Sequence, residues 1–598
     1  MKIKKIFHVT LYLLTAVTFL LIVTWQFRQD ILRVYGDLPP FTHSIAYSFT
    51  EMVAVRDGVK LHTEVVMPNG EPPFPTVLVR SPYGSIKIVG IEIYCAIPVR
   101  YGYACVYQDT RGQGESEGIW TPLVNEINDA KDTLTWLVNQ DFQNKNIAML
   151  GDSYLGLTQW AAVAGGLPPE VKTIIPGISS PNLLATMYQD GMFRQEIYTI
   201  WGILMNTSHS SMNPFKKGGN YLKAIRHGQQ DEVDTLYFGG AIPWYQSWIN
   251  SPSPNSDFWK IESNVAMKKT PENISIPVLM IGGWHDLFIG SQIVDWGNLA
   301  TKSSSRFIIG PWAHSKEIGD LNTPNNRKGA LQWKEKLNWL DHHLKGKPLI
   351  NPPGVLSYVM GEDRWVERTD WPPAGETLRW YLNNPSAGYH CDGGSLDDKP
   401  MVADTAIYRY DPNNPVPTLG GASLLAYALP GFDDAPAGSV EQGDICDRSD
   451  ILSFTTEKIT EPLRIAGDLK ISLTVSSTAS DTAFSAKLVE VFESGKTLNI
   501  RDGITTIVLT NNASDKRPYL ANEKVDVVIK PFPIEWTVKV GSKLRLDISS
   551  SDYPKYHRHP NVAGNWASVK TPVIAEQTIY TGVGSSSYLE IGYIKDFD

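Results

Sequence analysis

Between Glu51 and Ala164 the apolar residues fall into short runs that alternate between two periods. Glu51 to Pro68, Thr76 to Arg80, Tyr103 to Gln108 and Ile147 to Leu150 read as strands, continuous or alternating in apolar character. Asp129 to Asn139 carries helical spacing through Ala130, Leu134 and Leu137, and Leu157 to Ala164 is helix-compatible. Strands alternating with helices in this way predict a parallel sheet covered on both faces, an α/β fold. From Pro168 to Trp259 the alternation breaks into Gly, Asn, Ser and Pro interleaved with Trp201, Tyr237, Phe238, Trp244, Tyr245, Trp248, Phe258 and Trp259, which reads as an inserted helical cap. Most of those aromatics are expected to form the cap's own core, and the rest to line an apolar cleft. Sheet pattern resumes at Ile276 to Ile281 and Arg306 to Ile309, followed by an amphipathic helix, Leu331 to Leu344.

Past Pro352 the pattern changes to short alternating runs separated by Gly, Asp, Asn and Pro. Leu378 to Leu382, Leu463 to Val475, Phe484 to Phe492, Val525 to Val528 and Lys543 to Ile548 are examples, and they predict an antiparallel sandwich. The expected units are a membrane anchor with its juxtamembrane segment over 1–35 and an α/β domain over 45–167 and 266–352. A cap over 168–265 and an all-β sandwich over 353–598 complete the chain.

The anchor rests on Ile6 to Trp25, twenty residues without a formal charge behind Lys2, Lys4 and Lys5. Such a length spans a bilayer core, and Val23 to Arg28 offers no small-residue cleavage site. The lysines keep the amino terminus cytoplasmic and place the body on the periplasmic or extracellular side, with a cleaved, secreted form as the alternative. In that compartment a Cys95–Cys105 or Cys391–Cys446 bridge is permitted, and four buried free thiols are the other reading of the four cysteines.

Composition narrows the classes of function. With 42% hydrophobic and 20% charged residues the chain is globular, and a net charge of -9 leaves no basic stripe for nucleic acid. No CxxC pair is present, so no zinc site is expected. His342 with His343, and His557-Arg558-His559, are expected on a helix surface and an exposed loop, without acidic or cysteine partners at ligand spacing. No cofactor is required by any motif.

The chemistry centres on Asn146 to Gly156. An apolar strand ends in Gly151-Asp152-Ser153-Tyr154-Leu155-Gly156 and a helix follows at once. A serine on that turn projects from the sheet edge, and the N–H of Tyr154 points where an oxyanion would form. Side chains at positions 151 and 156 would collide with the strand and helix that the turn brings together. The second glycine lies one place later than in the usual Gly-x-Ser-x-Gly.

A serine nucleophile needs a base oriented by a carboxylate, in the chain order Ser, acid, His. Asp286 follows the strand Val278 to Gly282, and His314 follows Arg306 to Ile309. His285 competes with His314 but precedes the carboxylate. Pro82 stiffens the loop after the strand ending at Arg80, so that Tyr83 can present its phenol as a second oxyanion donor.

Gly-Asp-Ser-Tyr-Leu-Gly, Gly-Gly-Trp-His-Asp, Gly-Pro-Trp-Ala-His-Ser, Arg-Ser-Pro-Tyr and Asp109 to Gly118 together resemble the CocE/NonD hydrolases. That group embraces cocaine esterase, α-amino-acid ester hydrolases, glutaryl acylases and, more distantly, X-prolyl dipeptidyl peptidases. The resemblance runs from Glu51 to the C-terminus, through Trp339 to Gly346, Tyr410-Asp411-Pro412 and Ser550 to Pro554. It implies an α/β-hydrolase fold with a cap and a C-terminal jelly roll. It also implies Ser153 as nucleophile, Asp286 as acid, His314 as base, and an oxyanion hole of the Tyr83 hydroxyl and Tyr154 amide. Leu287, Phe288 and Ile289 depart from the acidic pattern that the amino-acid ester hydrolases use for a substrate ammonium, which favours a neutral acyl group.

The expected activity is hydrolysis of small-molecule esters, amides or short peptides through an acyl-enzyme on Ser153. Release of X-Pro dipeptides is the alternative, with Asp190, Glu196 or another cap acid then holding the amine. A surface binding protein with a vestigial site is the reading from another class.

Overall fold

The computed structural model describes residues 28–595 apart from 207–213, 315–318, 374, 386–389, 392, 424–436, 444 and 512. The expected anchor at 6–25 lies outside the described residues. Among these, no helix is long and apolar enough to cross a membrane.

A short helix, α1 (Arg28–Tyr35), leads into a ten-stranded sheet. Its first strands are β1 (Ile45–Ala54), β2 (Lys60–Pro68), β3 (Phe74–Ser81) and β4 (Ala104–Asp109). Helices α2 (Lys87–Tyr94) and α3 (Ala96–Val99) join β3 to β4, and α4 (Glu126–Leu137) leads to β5 (Gln143–Asp152). Next come α5 (Tyr154–Gly165) and β6 (Val171–Gly177). A helical insertion that includes α6 (Gln195–Met205) and α7 (Pro243–Ile249) precedes β7 (Leu279–His285). The sheet is completed by α8 (Ile289–Gly297), β8 (Arg306–Ala313), α9 (Lys328–Lys345), β9 (Gly354–Val359) and β10 (Arg364–Arg368).

Strand order is β1-β2-β4-β3-β5-β6-β7-β8-β9-β10, parallel from β4 to β9 and antiparallel at both edges. Alternate residues feed opposite cores. Ile147 and Met149 of β5 join Leu134 of α4 and Trp160 of α5, whereas Ala148 and Leu150 join Ile97 of α3 and Trp339 of α9. Both faces are buried, so these strands read as continuous apolar runs.

Three details differ from the sequence reading. Glu51 to Pro68 is not one strand: Asp57-Gly58 turns the chain, with Gly58 at φ +86, and makes a β1–β2 hairpin. Position 168 does not begin the insertion, because Val171–Gly177 is a buried strand lying between β5 and β7. The sheet also continues past 352, where the sandwich was expected to start, since β9 pairs in parallel with β8.

The C-terminal part is β-rich, with twelve strands among the described residues between Glu376 and Ile594 in one connected sheet. It grips the insertion directly: the Glu196 N–H bonds the Pro554 carbonyl at 3.1 Å, and the Phe193 N–H bonds His557 Nδ1 at 3.0 Å. All four cysteines are bridged, Cys95 to Cys105 and Cys391 to Cys446.

Candidate active site

Ser153 joins β5 to α5 with φ +59 and ψ -124, a conformation that a residue with a β-carbon adopts only under constraint. The constraint is local. The Ser153 N–H bonds the Gly177 carbonyl at 2.9 Å, and its own carbonyl accepts from Gly156 and Leu157 at 2.9 and 3.1 Å. A β-carbon at Gly151 would stand 2.4 Å from Leu155 Cβ, and one at Gly156 would stand 2.2 Å from Ser179 Oγ. Both glycines therefore answer close approach, as the motif required.

Asp286 and His314 follow β7 and β8, so the three side chains meet at one edge of the sheet. His314 Nε2 lies 3.1 Å from Ser153 Oγ, and His314 Nδ1 lies 2.7 Å from Asp286 Oδ2. Asp286 is fully buried, and its other oxygen accepts the Phe288 N–H at 2.7 Å. A carboxylate on Nδ1 holds the proton there and leaves Nε2 to accept from the serine hydroxyl.

Tyr154 is the first residue of α5, so its N–H has no partner within the helix and faces the turn. Its phenol accepts the Leu123 N–H at 3.0 Å and donates to Glu126 Oε1 at 3.1 Å. Glu126 in turn pairs with the buried Arg80 at 3.0 Å, and Arg80 Nε bonds Gln108 at 2.8 Å. Burial pushes the Glu126 carboxyl upward, against the pull of Arg80. Tyr83 follows β3, and its hydroxyl accepts the Trp201 indole N–H at 3.5 Å. Burial raises the Tyr83 phenol, with Trp201 and Ser153 opposing, so it keeps its proton at neutral pH. Asp152, beside Ser153, accepts the Tyr94 hydroxyl at 3.0 Å and lies 3.2 Å from the buried Lys336 ammonium.

A cavity of about 290 Å³ opens over Ser153. Tyr83, Tyr154 and His314 form its polar floor, and the walls are apolar, including Leu183, Met187, Ile197, Trp201, Trp248, Leu287 and Phe288. Among the described residues no carboxylate, lysine or arginine lines it. The cap acids considered for an amine are engaged elsewhere: Asp190 takes the Thr505 hydroxyl at 2.8 Å, and Glu196 takes the Ser423 hydroxyl at 2.9 Å. Of the cap aromatics, Trp201 and Trp248 reach the cavity, while Phe238, Tyr245 and Trp259 are buried in the insertion.

His285 points away from Ser153. It is buried against Ser439 at 3.3 Å, and burial lowers its pKa to about 3. His557 and His559 correct the expected exposed loop, since both are buried. His557 stacks on Trp566 with ring centroids 3.9 Å apart, and His559 faces Asp481 at 3.5 Å. Sequence reading did not find the cluster of His62, Asp109 and Glu115, whose spacing along the chain carries no signal. A lysine serves as its cation, with Lys87 Nζ 3.1 Å from His62 Nδ1 and 3.0 Å from Glu115.

The parallel sheet, the constrained serine and the hydrogen-bonded run from Ser153 through His314 to Asp286 are those of a serine hydrolase. A family profile described as X-Pro dipeptidyl-peptidase (S15 family) matches residues 57–316, and that family's C-terminal non-catalytic domain matches residues 350–590. Cocaine esterase of Rhodococcus sp. (strain MB1 Bresler) is 30% identical over 576 residues, spanning 91% of this chain and 98% of the relative. The chain belongs to this S15 and cocaine esterase family of serine hydrolases.

Solved structures share the fold. An aminopeptidase from a marine sediment Thaumarchaeota archaeon superposes with TM-score 0.77 at 23% identity, covering 93% of this chain and 97% of that one. An α-amino acid ester hydrolase gives TM-score 0.75 at 23% identity, covering 93% and 98%.

Proposed function

We propose that the protein hydrolyses esters of neutral, apolar acyl groups, with Ser153 as nucleophile, His314 as base, and Asp286 orienting the imidazole. The observation that carries this is the Ser153–His314 contact of 3.1 Å on the floor of a cavity that no carboxylate, lysine or arginine lines among the described residues. Ser153 Oγ attacks the carbonyl carbon as its proton passes to His314 Nε2, and the oxyanion takes hydrogen bonds from the Tyr83 phenol and the Tyr154 amide. The leaving alkoxide departs with the proton from His314. Water, deprotonated by the same imidazole, then attacks the acyl carbon, and the bond to Ser153 Oγ breaks as His314 returns the proton to that oxygen and the acid leaves.

Aryl esters of benzoic, hexanoic, acetic and α-amino acids, set beside X-Pro anilides, test the reading. Neutral apolar acyl esters should lead in kcat/KM, and a lead by the amino-acyl or X-Pro substrates would overturn it. X-Pro release stays as the second reading because of the S15 match, although among the described residues no acid lines the cavity to hold the substrate amine. Covalent labelling of Ser153 by a fluorophosphonate would dispose of a vestigial site.

For location, we read residues 6–25 as a membrane anchor with the body on the non-cytoplasmic side. Lys2, Lys4 and Lys5 support the orientation, and two disulfides suit an oxidising compartment. Carbonate extraction tests the anchor; release of the intact chain into the supernatant would refute it.

A further inference from the structure

Helix α2, Lys-Ile-Val-Gly-Ile-Glu-Ile-Tyr, has no buried residue, although half of its positions are isoleucine or valine. Ile88 is 68% exposed, Val89 52% and Ile93 38%, with Ile86 just before the helix at 55%. Single exposed apolar residues are ordinary, but four within eight positions on one short element form a patch. Its inner side is accounted for. A β-carbon at Gly90 would stand 2.3 Å from the Tyr107 hydroxyl, Ile91 packs on the core beneath, and Tyr94 bonds Asp152, so Gly90, Ile91 and Tyr94 face the protein while Ile88, Val89 and Ile93 face out.

The position of this patch matters. The segment leaves Tyr83, on the cavity floor, and returns at Tyr94, which bonds the neighbour of Ser153. An eight-residue helix is about 12 Å long, so the apolar face lies close beside the site. The element that receives the N-terminal segment is adjacent as well. Helix α1 packs on α3, which continues α2 directly through the bridged Cys95, and α1 exposes Ile31 and Val34. Only Gln26 and Phe27 separate the uncharged stretch ending at Trp25 from α1, a reach of at most about 10 Å. A body tethered that closely must present the surface around α1 to the bilayer.

We propose that the exposed faces of α2 and α1 rest on the lipid surface entered by residues 6–25, so that apolar esters reach Ser153 from the bilayer. This rests on reading residues 6–25 as an anchor. Isoleucine and valine on a short surface helix suit the boundary between headgroups and acyl chains, where partition follows buried apolar area. The cavity over Ser153 is lined by the kind of side chains that a lipid-dissolved acyl group would meet.

The test uses the full chain reconstituted into phosphatidylcholine–phosphatidylglycerol vesicles, carrying Ile88→Cys labelled with an environment-sensitive dye. Val402→Cys, in the β-rich part at a residue 84% exposed, serves as the control. Flotation comes first: a chain that stays at the bottom of the gradient refutes the anchor and the lipid contact together. In floated protein the label at 88 should shift to the blue and be quenched by shallow doxyl-lipid, while the label at 402 should do neither. A label at 88 as water-like as that at 402 overturns the proposal and leaves the anchor standing. A blue shift that ignores doxyl-lipid and grows with protein concentration assigns the face to a second copy, which also overturns it. Finally, the triple variant Ile88→Glu, Val89→Glu, Ile93→Glu should keep turnover of a water-soluble acetyl ester and lose about tenfold on a long-acyl ester dissolved in the vesicles. Equal loss on both substrates counts against the proposal.

Discussion

The Tyr154 phenol donates to Glu126 at 3.1 Å, so the residue proposed to offer its amide to the oxyanion is anchored by a buried ion pair below the sheet edge. One side chain thereby couples the geometry of the turn to the Arg80–Glu126 charges. Removing one member of a buried pair leaves the other charge uncompensated, which costs about 3 kcal/mol or more. Glu126→Gln should lower the melting temperature by several degrees while keeping an acceptor for Tyr154. Tyr154→Phe keeps the backbone N–H and should cost less than tenfold in kcat, measured on a phenyl ester. A loss as large as that of a Ser153 variant would mean that the phenol itself takes part in the reaction.

Removal of the Ser153 hydroxyl should abolish burst-phase acylation. Ser153→Ala and His314→Ala should each lower kcat by several orders of magnitude, and Asp286→Asn somewhat less, because the three act as a unit and their losses do not add. Stopped-flow kinetics with a chromogenic ester decide it. A Ser153→Ala enzyme with unchanged turnover would remove the assignment altogether.

The neighbourhood of Ser153 was legible because chemistry there is local: an apolar run, a glycine and a serine occupy eleven consecutive residues, Asn146 to Gly156, and a helix-forming run, Leu157 to Ala164, follows at once. Asp286 and His314 were legible because strands announce where their loops begin. By contrast, Val171–Gly177 was hidden by the prolines and glycines around it, since a seven-residue strand buried on both faces has no alternation to display. Pairings across long separations left no trace either. Arg80 meets Glu126 and His557 meets Trp566 only after folding, and the cysteine bridges were one of several arrangements open to four residues.

Asp295 on α8 gives the stability a pH dependence. Burial raises its carboxyl from the usual 3.8 to about 7, with the Ser180 hydroxyl opposing, and Oδ2 has no hydrogen-bond partner. A carboxyl raised on folding binds its proton more tightly in the folded chain. Its contribution is therefore complete at pH below the ordinary carboxylate value and is lost as pH rises through about 7. The full difference is worth at most about 4 kcal/mol. Asp295→Asn should consequently raise the melting temperature more at pH 9 than at pH 5. A gain of equal size at both would show that ionisation is not the cause.

The shape of the cavity predicts how selectivity can be moved. Leu183 is 6% exposed and lines the same cavity as Ser153 and His314. At about 290 Å³ the space is near the lower end of small-molecule pockets, roughly 300–1,000 Å³, so one indole in place of an isobutyl group takes much of it. Leu183→Trp should leave acetyl ester turnover within a few-fold of the parent. Benzoyl and hexanoyl esters should lose at least about tenfold in kcat/KM, since pocket contacts of this kind are worth about 1–3 kcal/mol each. The ratio of the two rates is the measurement, because it cancels any loss of folded protein. If the ratio stays constant, the acyl group does not occupy this cavity, and the space above Ser153 must receive the leaving alcohol instead.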